Sequence, residues 1–106
     1  MLKDFLRKKE IVKKSTLIAD EIMSRYPPEM DTVKPAENKA DIKKKHRKLS
    51  RALQIGKTDI NRTIGEMRLG VYGKAKLYKT IQDAMLEKGY TEASARIIIE
   101  ELAVTF

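Results

Sequence analysis

The chain has 106 residues, 42% of them hydrophobic, and its 23 Lys and Arg against 15 Asp and Glu give a formal charge of +8. This length suits one domain with its own core, and the absence of cysteine excludes disulfides, thiolate metal sites and cysteine nucleophiles. No apolar run approaches the roughly 20 residues of a membrane span, and charges between Lys3 and Lys9 interrupt any signal-peptide core, so we expect a cytoplasmic protein.

The first predicted helix covers about residues 2–26. Apolar side chains recur every seven residues from Phe5 to Tyr26, which is the spacing of one helix face. Pro27 and Pro28 end this helix, because proline has no N–H to donate and restricts the residue before it. Residues 27–34 are therefore predicted to be a linker.

The second predicted helix covers about residues 35–67 and has the clearest pattern. Its inward positions recur at spacings of three and four, and we call them the seam: Ile42, His46, Leu49, Leu53, Gly56, Ile60, Ile64, Met67 and Val71. The seam is about 60° wide, as in coiled-coil packing. It continues through Gly56 and so favours one long helix, although interior glycine costs about 1 kcal/mol and a break between residues 55 and 59 stays open. The seam also predicts a partly buried His46, whose protonation would weaken a helix interface near pH 6.

A helical hairpin is predicted over residues 74–104. The glycines Gly65, Gly70 and Gly73 mark a turn before it, and Gly89 stands where a glycine commonly ends a helix. No segment alternates as a strand does. The sequence therefore predicts a single all-α domain of four helices, with a long basic central helix and a C-terminal hairpin.

The positive charge is concentrated before residue 80. Residues 1–79 carry 21 basic and 10 acidic side chains, a net of +11, whereas residues 80–106 carry 2 and 5, a net of −3. Five basic side chains lie opposite the seam on a helical wheel, and we call them the basic ridge: Lys44, Arg47, Lys48, Arg51 and Arg62. The basic ridge extends over roughly 27 Å, which suits contacts with a phosphate backbone. The alternative is an outer helix face that only needs water.

Four other patterns are weaker. The C-terminal helix pair has the outline of a helix-turn-helix, but its second helix is acidic and apolar where a reading helix is basic and polar. Gly56-Lys57-Thr58 ends like a phosphate-binding loop but lacks the earlier glycine and a preceding strand. The GxxG form of residues 70–73 belongs to an α/β family, so a flexible turn is favoured. The N-terminal residues have a membrane-surface composition, but core packing explains their apolar stripe.

Two functions follow from these patterns. We expect no catalysis, no cofactor and no metal, because acids and bases are scattered among lysines and His46 is the only histidine. The first function is contact with nucleic-acid phosphates through the basic ridge, with little sequence specificity. The alternative is an interaction or regulatory adaptor, in which the seam or the hairpin binds an acidic protein or a second copy in a homodimer. The hairpin residues of that interface would be Ile98, Leu102 and Phe106.

Overall fold

The computed structural model describes residues 2–31 and 38–103, with side chains for residues 7–30 and 38–103. Within these residues the chain forms no strand and four α-helices: α1 (Leu2–Arg25), α2 (Lys39–Met67), α3 (Val71–Glu87) and α4 (Glu92–Ala103). The predicted all-α class is confirmed. Residues 32–34 of the predicted linker, and the predicted start of the second helix at residue 35, lie outside the described residues.

Helix α1 ends where the two prolines begin. Its last regular residue is Arg25, and Tyr26 still donates its backbone N–H to the Ile22 carbonyl at 2.9 Å. A single 3₁₀ turn follows over Pro28–Asp31. Proline supplies the fixed φ for this turn and cannot extend the α1 hydrogen-bond ladder. The length of α1 is thus set by Pro27 and Pro28, and this length decides how much of α2 is covered.

Helix α1 lies between α2 and α3 and packs against both. It is antiparallel to α2: the Arg7 guanidinium donates to the Met67 carbonyl at the end of α2, while Ile22 lies beside Gly56. The Arg7 contact places a cation at the negative end of the α2 dipole and satisfies one of its terminal carbonyls.

The other helices complete the core. Helix α1 is parallel to α3, because Arg7 near the start of α1 contacts Met67 just before α3, and Tyr26 just after α1 contacts Tyr90 just after α3. Helix α4 packs on α3 and reaches α2. The side chains with no measurable exposure come from every helix: Ser15, Ala19, Ile22, Ala52, Ile60, Leu77, Ile81, Met85 and Ala95. The Tyr90 hydroxyl donates to the Tyr26 carbonyl and ties the α3–α4 turn to the end of α1.

Gly56 lies where α1, α2 and α4 meet. A Cβ at this position would lie 2.8 Å from Ile22 Cδ1 and 3.0 Å from Leu102 Cδ2. Both distances are shorter than an ordinary carbon–carbon contact. The glycine therefore allows close approach of the three helices, and α2 passes through it without a break. The second predicted helix is therefore one long helix and not two short ones.

The turns after α2 and α3 have the same hydrogen-bond pattern and different residues. Tyr90 N–H donates to the Met85 carbonyl and Gly89 N–H to Leu86, with Gly89 at φ +108°, so the predicted helix end at Gly89 is confirmed. After α2, Leu69 N–H donates to the Ile64 carbonyl, but Arg68 occupies the left-handed position at φ 52°.

The glycines near the α2–α3 turn do not build it. Gly65 lies inside α2 and Gly73 inside α3, and Gly70 is the N-cap of α3 with φ −86°. The expectation that residues 70–73 form a flexible turn is wrong, because α3 begins at Val71. Gly73 is needed for packing instead, since a Cβ there would lie 2.9 Å from Leu69 Cδ2.

Candidate nucleic-acid interface

The first turns of α2, residues 39–44, are exposed on every side in the described part of the chain. Because Ile22 lies beside Gly56 and α1 ends three residues later, α1 covers α2 only as far as about Ala52. Ala52 is also the first buried residue of α2. We call residues 39–51 the arm and residues 52–67 the packed half of α2. The arm is about 20 Å long at 1.5 Å per residue.

The arm is strongly basic. It carries one acidic residue, Asp41, against seven basic ones: Lys39, Lys43, Lys44, Lys45, Arg47, Lys48 and Arg51. Six of the seven are exposed and Lys45 is half-buried. Like charges this close repel one another across the solvent. A polyanion that binds the arm would remove this repulsion.

A local cap starts the arm. The Asn38 side chain accepts a hydrogen bond from the Asp41 backbone N–H at 2.9 Å, and the Asp41 carboxylate lies in the first turn. Asparagine is among the best N-cap residues, and an acidic side chain complements the positive end of the helix dipole. The arm thus has a defined first turn although no described helix packs on it there.

The structure separates the basic ridge into two parts. Lys44, Arg47, Lys48 and Arg51 are all exposed along the arm. Arg62 lies about 16 Å further along the helix, in the packed half, with its Nη1 atom 3.7 Å from Asp59 Oδ1. Arg62 also lines the α1–α2 groove together with Glu21 and Glu66. Three acidic residues lie near Arg62, whereas Asp41 is the one acidic residue of the arm.

The seam continues along the arm, where Leu49 is partly buried against the core and the two earlier seam residues are exposed. His46 is exposed, so the expectation that it is partly buried at a helix interface is wrong. Ile42 is 55% exposed, whereas Ile60, on the same seam in the packed half, is fully buried. Periodicity places both residues on one helix face, but burial also needs a neighbouring helix, and α1 is too short to provide one at Ile42.

Two residues of the predicted hairpin interface are buried inside the protein. Ile98 and Leu102 are only 3% and 2% exposed and pack in the chain's own core, Leu102 beside Gly56. Their apolar character is explained by this packing, and neither presents a side chain to a partner. Phe106, the third residue of that interface, lies outside the described residues.

Sequence reasoning missed an exposed apolar pair at the start of α3. Val71 and Tyr72 are both exposed, next to the exposed Arg68 and Lys74. The seam pattern assigned Val71 to a buried face, but the phase of α2 ends at Arg68 with its left-handed conformation. Further along α3, burial raises the pKa of the half-buried Tyr78.

Searches of the described residues for a membrane helix and for a metal site, and comparisons of the chain with known proteins, all gave negative results. In the described ranges, no helix is both long and apolar enough to cross a membrane. The same residues contain no group of three or more His, Asp or Glu side chains that would hold a metal ion. Family models, curated proteins and solved structures yield no match to this chain.

Proposed function

We propose that the protein binds nucleic-acid phosphates through the arm, with Lys44, Arg47, Lys48 and Arg51 as the contacting residues. The observation that carries the proposal is the position of these side chains: they lie on a helix segment that extends past α1, with Asp41 as its one acidic residue. Each phosphate that such a side chain neutralises releases condensed counterions, and this release drives binding at low salt. Arg62 is not part of this contact, because it lies in the packed half of α2, in a groove that Glu21, Asp59 and Glu66 also line.

The salt dependence of binding tests the proposal. If the four ridge residues of the arm each neutralise one phosphate, the slope of log K against log salt is about −3.6, a loss of roughly a hundredfold from about 50 to 200 mM. The measurement is fluorescence anisotropy of a labelled 20-base-pair DNA of random sequence. Little difference between unrelated sequences is expected, because phosphate contacts carry no sequence information.

Charge reversal at two places separates the arm from overall charge. The arm variant carries Lys44→Glu, Arg47→Glu and Lys48→Glu, and the control carries Lys8→Glu, Lys9→Glu and Lys13→Glu on exposed positions of α1. Each variant lowers the formal charge from +8 to +2.

The arm variant is expected to lose more than about tenfold in affinity and most of the salt slope, while the control keeps the slope. Equal losses in the two variants, or no binding of the wild-type chain at 50 mM salt, would contradict the proposal.

A second candidate function is capture of an acidic protein helix by the same arm. The exposed Ile42 favours it, because a phosphate backbone offers nothing apolar to this side chain. An amphipathic partner helix with acidic flanks would cover Ile42 and pair with the lysines beside it. Ile42→Ser would weaken this partner and, because it keeps the charge of the arm, leave DNA affinity changed by less than about twofold, so the substitution distinguishes the two functions.

A further inference from the structure

We infer that the arm's preferred ligand is double-stranded DNA, with the arm lying in the major groove. This inference rests on the proposed function and names its substrate class. The arm and the major groove match in size. A helix with its side chains is about 10–12 Å across, and the major groove of B-form DNA is about 12 Å wide. Residues 39–44 are all exposed, so described parts of the chain do not block this segment on any side.

Positive charge extends over a broad side of the arm. At 100° per residue, Lys43 and Lys48 lie about 140° apart around the helix axis, and Arg47, Arg51 and Lys44 lie between them. All five are exposed. A single strand offers one line of phosphates, which one row of side chains would follow. Two flanking lysines with arginines between them match the two backbones that border a groove.

A duplex can approach the basic side of the arm from solvent. Arg51 lies about 180° from Ile42 around the helix, and the seam to which Ile42 belongs faces α1 and α4 in the packed half. The basic side of the arm therefore faces away from the body of the protein. A duplex on this side meets the arm before it meets any other helix of the described chain.

The geometry favours DNA over RNA. The major groove of A-form RNA is deep and narrow, so a helix cannot enter it and would contact only one edge. Single-strand binding relies on aromatic side chains on which bases stack. Tyr26 and Tyr90 are buried, and Tyr72 is exposed only beyond the far end of α2, more than about 25 Å from Lys48 along the helix. Among the described residues of the arm, His46 is the one aromatic side chain, and it lies on the seam rather than among the basic residues, so it provides no row of rings for successive bases.

Competition among matched ligands tests the inference. The full chain is titrated at fixed salt with a 20-base-pair DNA duplex, the RNA duplex of the same sequence, and one DNA strand alone. We expect the DNA duplex to bind at least tenfold more tightly than either alternative. We also expect the major-groove ligand methyl green to displace the protein, and the minor-groove ligand netropsin to leave it bound.

Single substitutions on the two flanks add a second readout. The groove geometry adds Lys43 as a fifth phosphate contact to the four of the proposed function. Lys43→Ala and Lys48→Ala are each expected to reduce the salt slope on the DNA duplex by about one, because each removes a phosphate contact on a different backbone. A slope that changes for only one of them would mean that a single backbone is contacted, and would overturn the groove geometry.

The outcomes separate the inference from the proposed function. Equal affinity for DNA and RNA duplexes, tighter binding to the single strand, or displacement by netropsin alone would overturn the major-groove inference and leave phosphate binding standing. Polyglutamate competing as well as the DNA duplex at equal charge would overturn it in favour of an acidic protein partner. No binding to any of the three nucleic acids would remove the proposed function itself.

Discussion

In the packed half of α2 the seam is covered by α1 and α4, whereas in the arm only Leu49 packs partly against the core, and the seam residues Ile42 and His46 lie in solvent. Ile60 and Ile42 hold equivalent positions on this seam and have opposite surroundings. The difference comes from outside α2, because Pro27 and Pro28 end α1 before it reaches the arm. Helical periodicity thus shows which side chains share a face, and the length of the neighbouring helix decides which of them are buried.

The same comparison separates charges that are offset within the chain from charges left for a ligand. In the packed half, Arg62 lies beside Asp59, and Glu66 lines the same groove. In the arm, Lys44, Arg47 and Lys48 have no acidic residue within three positions on either side except Asp41, beside Lys44. Because acidic residues are fewer in the arm than around Arg62, we assign phosphate binding to the arm alone.

The largest effect that sharpens the comparison is expected from two isoleucines. Ile60→Ala should lower the free energy of unfolding by about 3–4 kcal/mol, because it removes a fully buried side chain and leaves a cavity. Ile42→Ala should change it by less than about 0.5 kcal/mol, since the side chain is already in water. Urea unfolding followed by circular dichroism measures both. Similar losses at the two positions would mean that the arm is covered in solution.

Two glycines of the packed half give the next effect. Gly56→Val should destabilise by about 2–3 kcal/mol, because the added atoms overlap Ile22 and Leu102. Gly65→Ala should stabilise by about 0.5–1 kcal/mol, because nothing lies within 4 Å of its Cβ and alanine favours a helix. The midpoint of urea unfolding reports both signs. If Gly56→Val were neutral, the three helices would not approach closely there.

Arg68 tests the end of the packed half. Arg68→Gly should stabilise by about 1 kcal/mol, because glycine adopts the left-handed conformation without the steric cost that arginine pays. Gly89→Ala is the matched control, at a positive φ of the other turn, and should destabilise by about 1–2 kcal/mol. Thermal unfolding of the two variants should shift in opposite directions. A lower midpoint for Arg68→Gly would contradict the left-handed turn.

Asn38 tests the start of the arm, with the smallest global effect. Asn38→Ala removes the N-cap and should weaken the arm's first turn by about 1 kcal/mol. Because the first turn of the arm is not packed in the core, the global free energy of unfolding should change by less than about 0.5 kcal/mol. Amide hydrogen exchange should accelerate at residues 41–44 and stay unchanged at residues 56–64. Faster exchange through all of α2 would mean that arm and packed half unfold together.

Much of the fold could be predicted from local chemistry. The all-α class follows from the periodicity, the end of α1 from two prolines, and the end of α3 from Gly89. The turn after α2 could not be predicted, because Arg68 occupies a conformation that glycine usually takes, and three nearby glycines serve other purposes. Gly56 is needed for contacts with Ile22 and Leu102, which are distant in the chain, so no local pattern contains them.

The candidate site was predictable in part for the same reason. The helical wheel places Lys44, Arg47, Lys48 and Arg51 on one exposed side without any tertiary information. The wheel also places Arg62 on this side. It does not contain the α1–α2 groove, in which acidic residues lie near Arg62. For Ile98 and Leu102 the apolar face predicts burial but not the surface that buries them. Only the tertiary structure shows that they are buried in the chain's own core.

The most direct test of the account is a two-dimensional NMR titration of the ¹⁵N-labelled chain with a 20-base-pair DNA duplex. The account predicts amide shift changes concentrated at residues 43–51, with residues 57–67 and α1 unchanged, Arg62 included. Changes centred on Val71 to Lys76, or spread evenly over all exposed lysines, would contradict the claim that the arm is the binding surface.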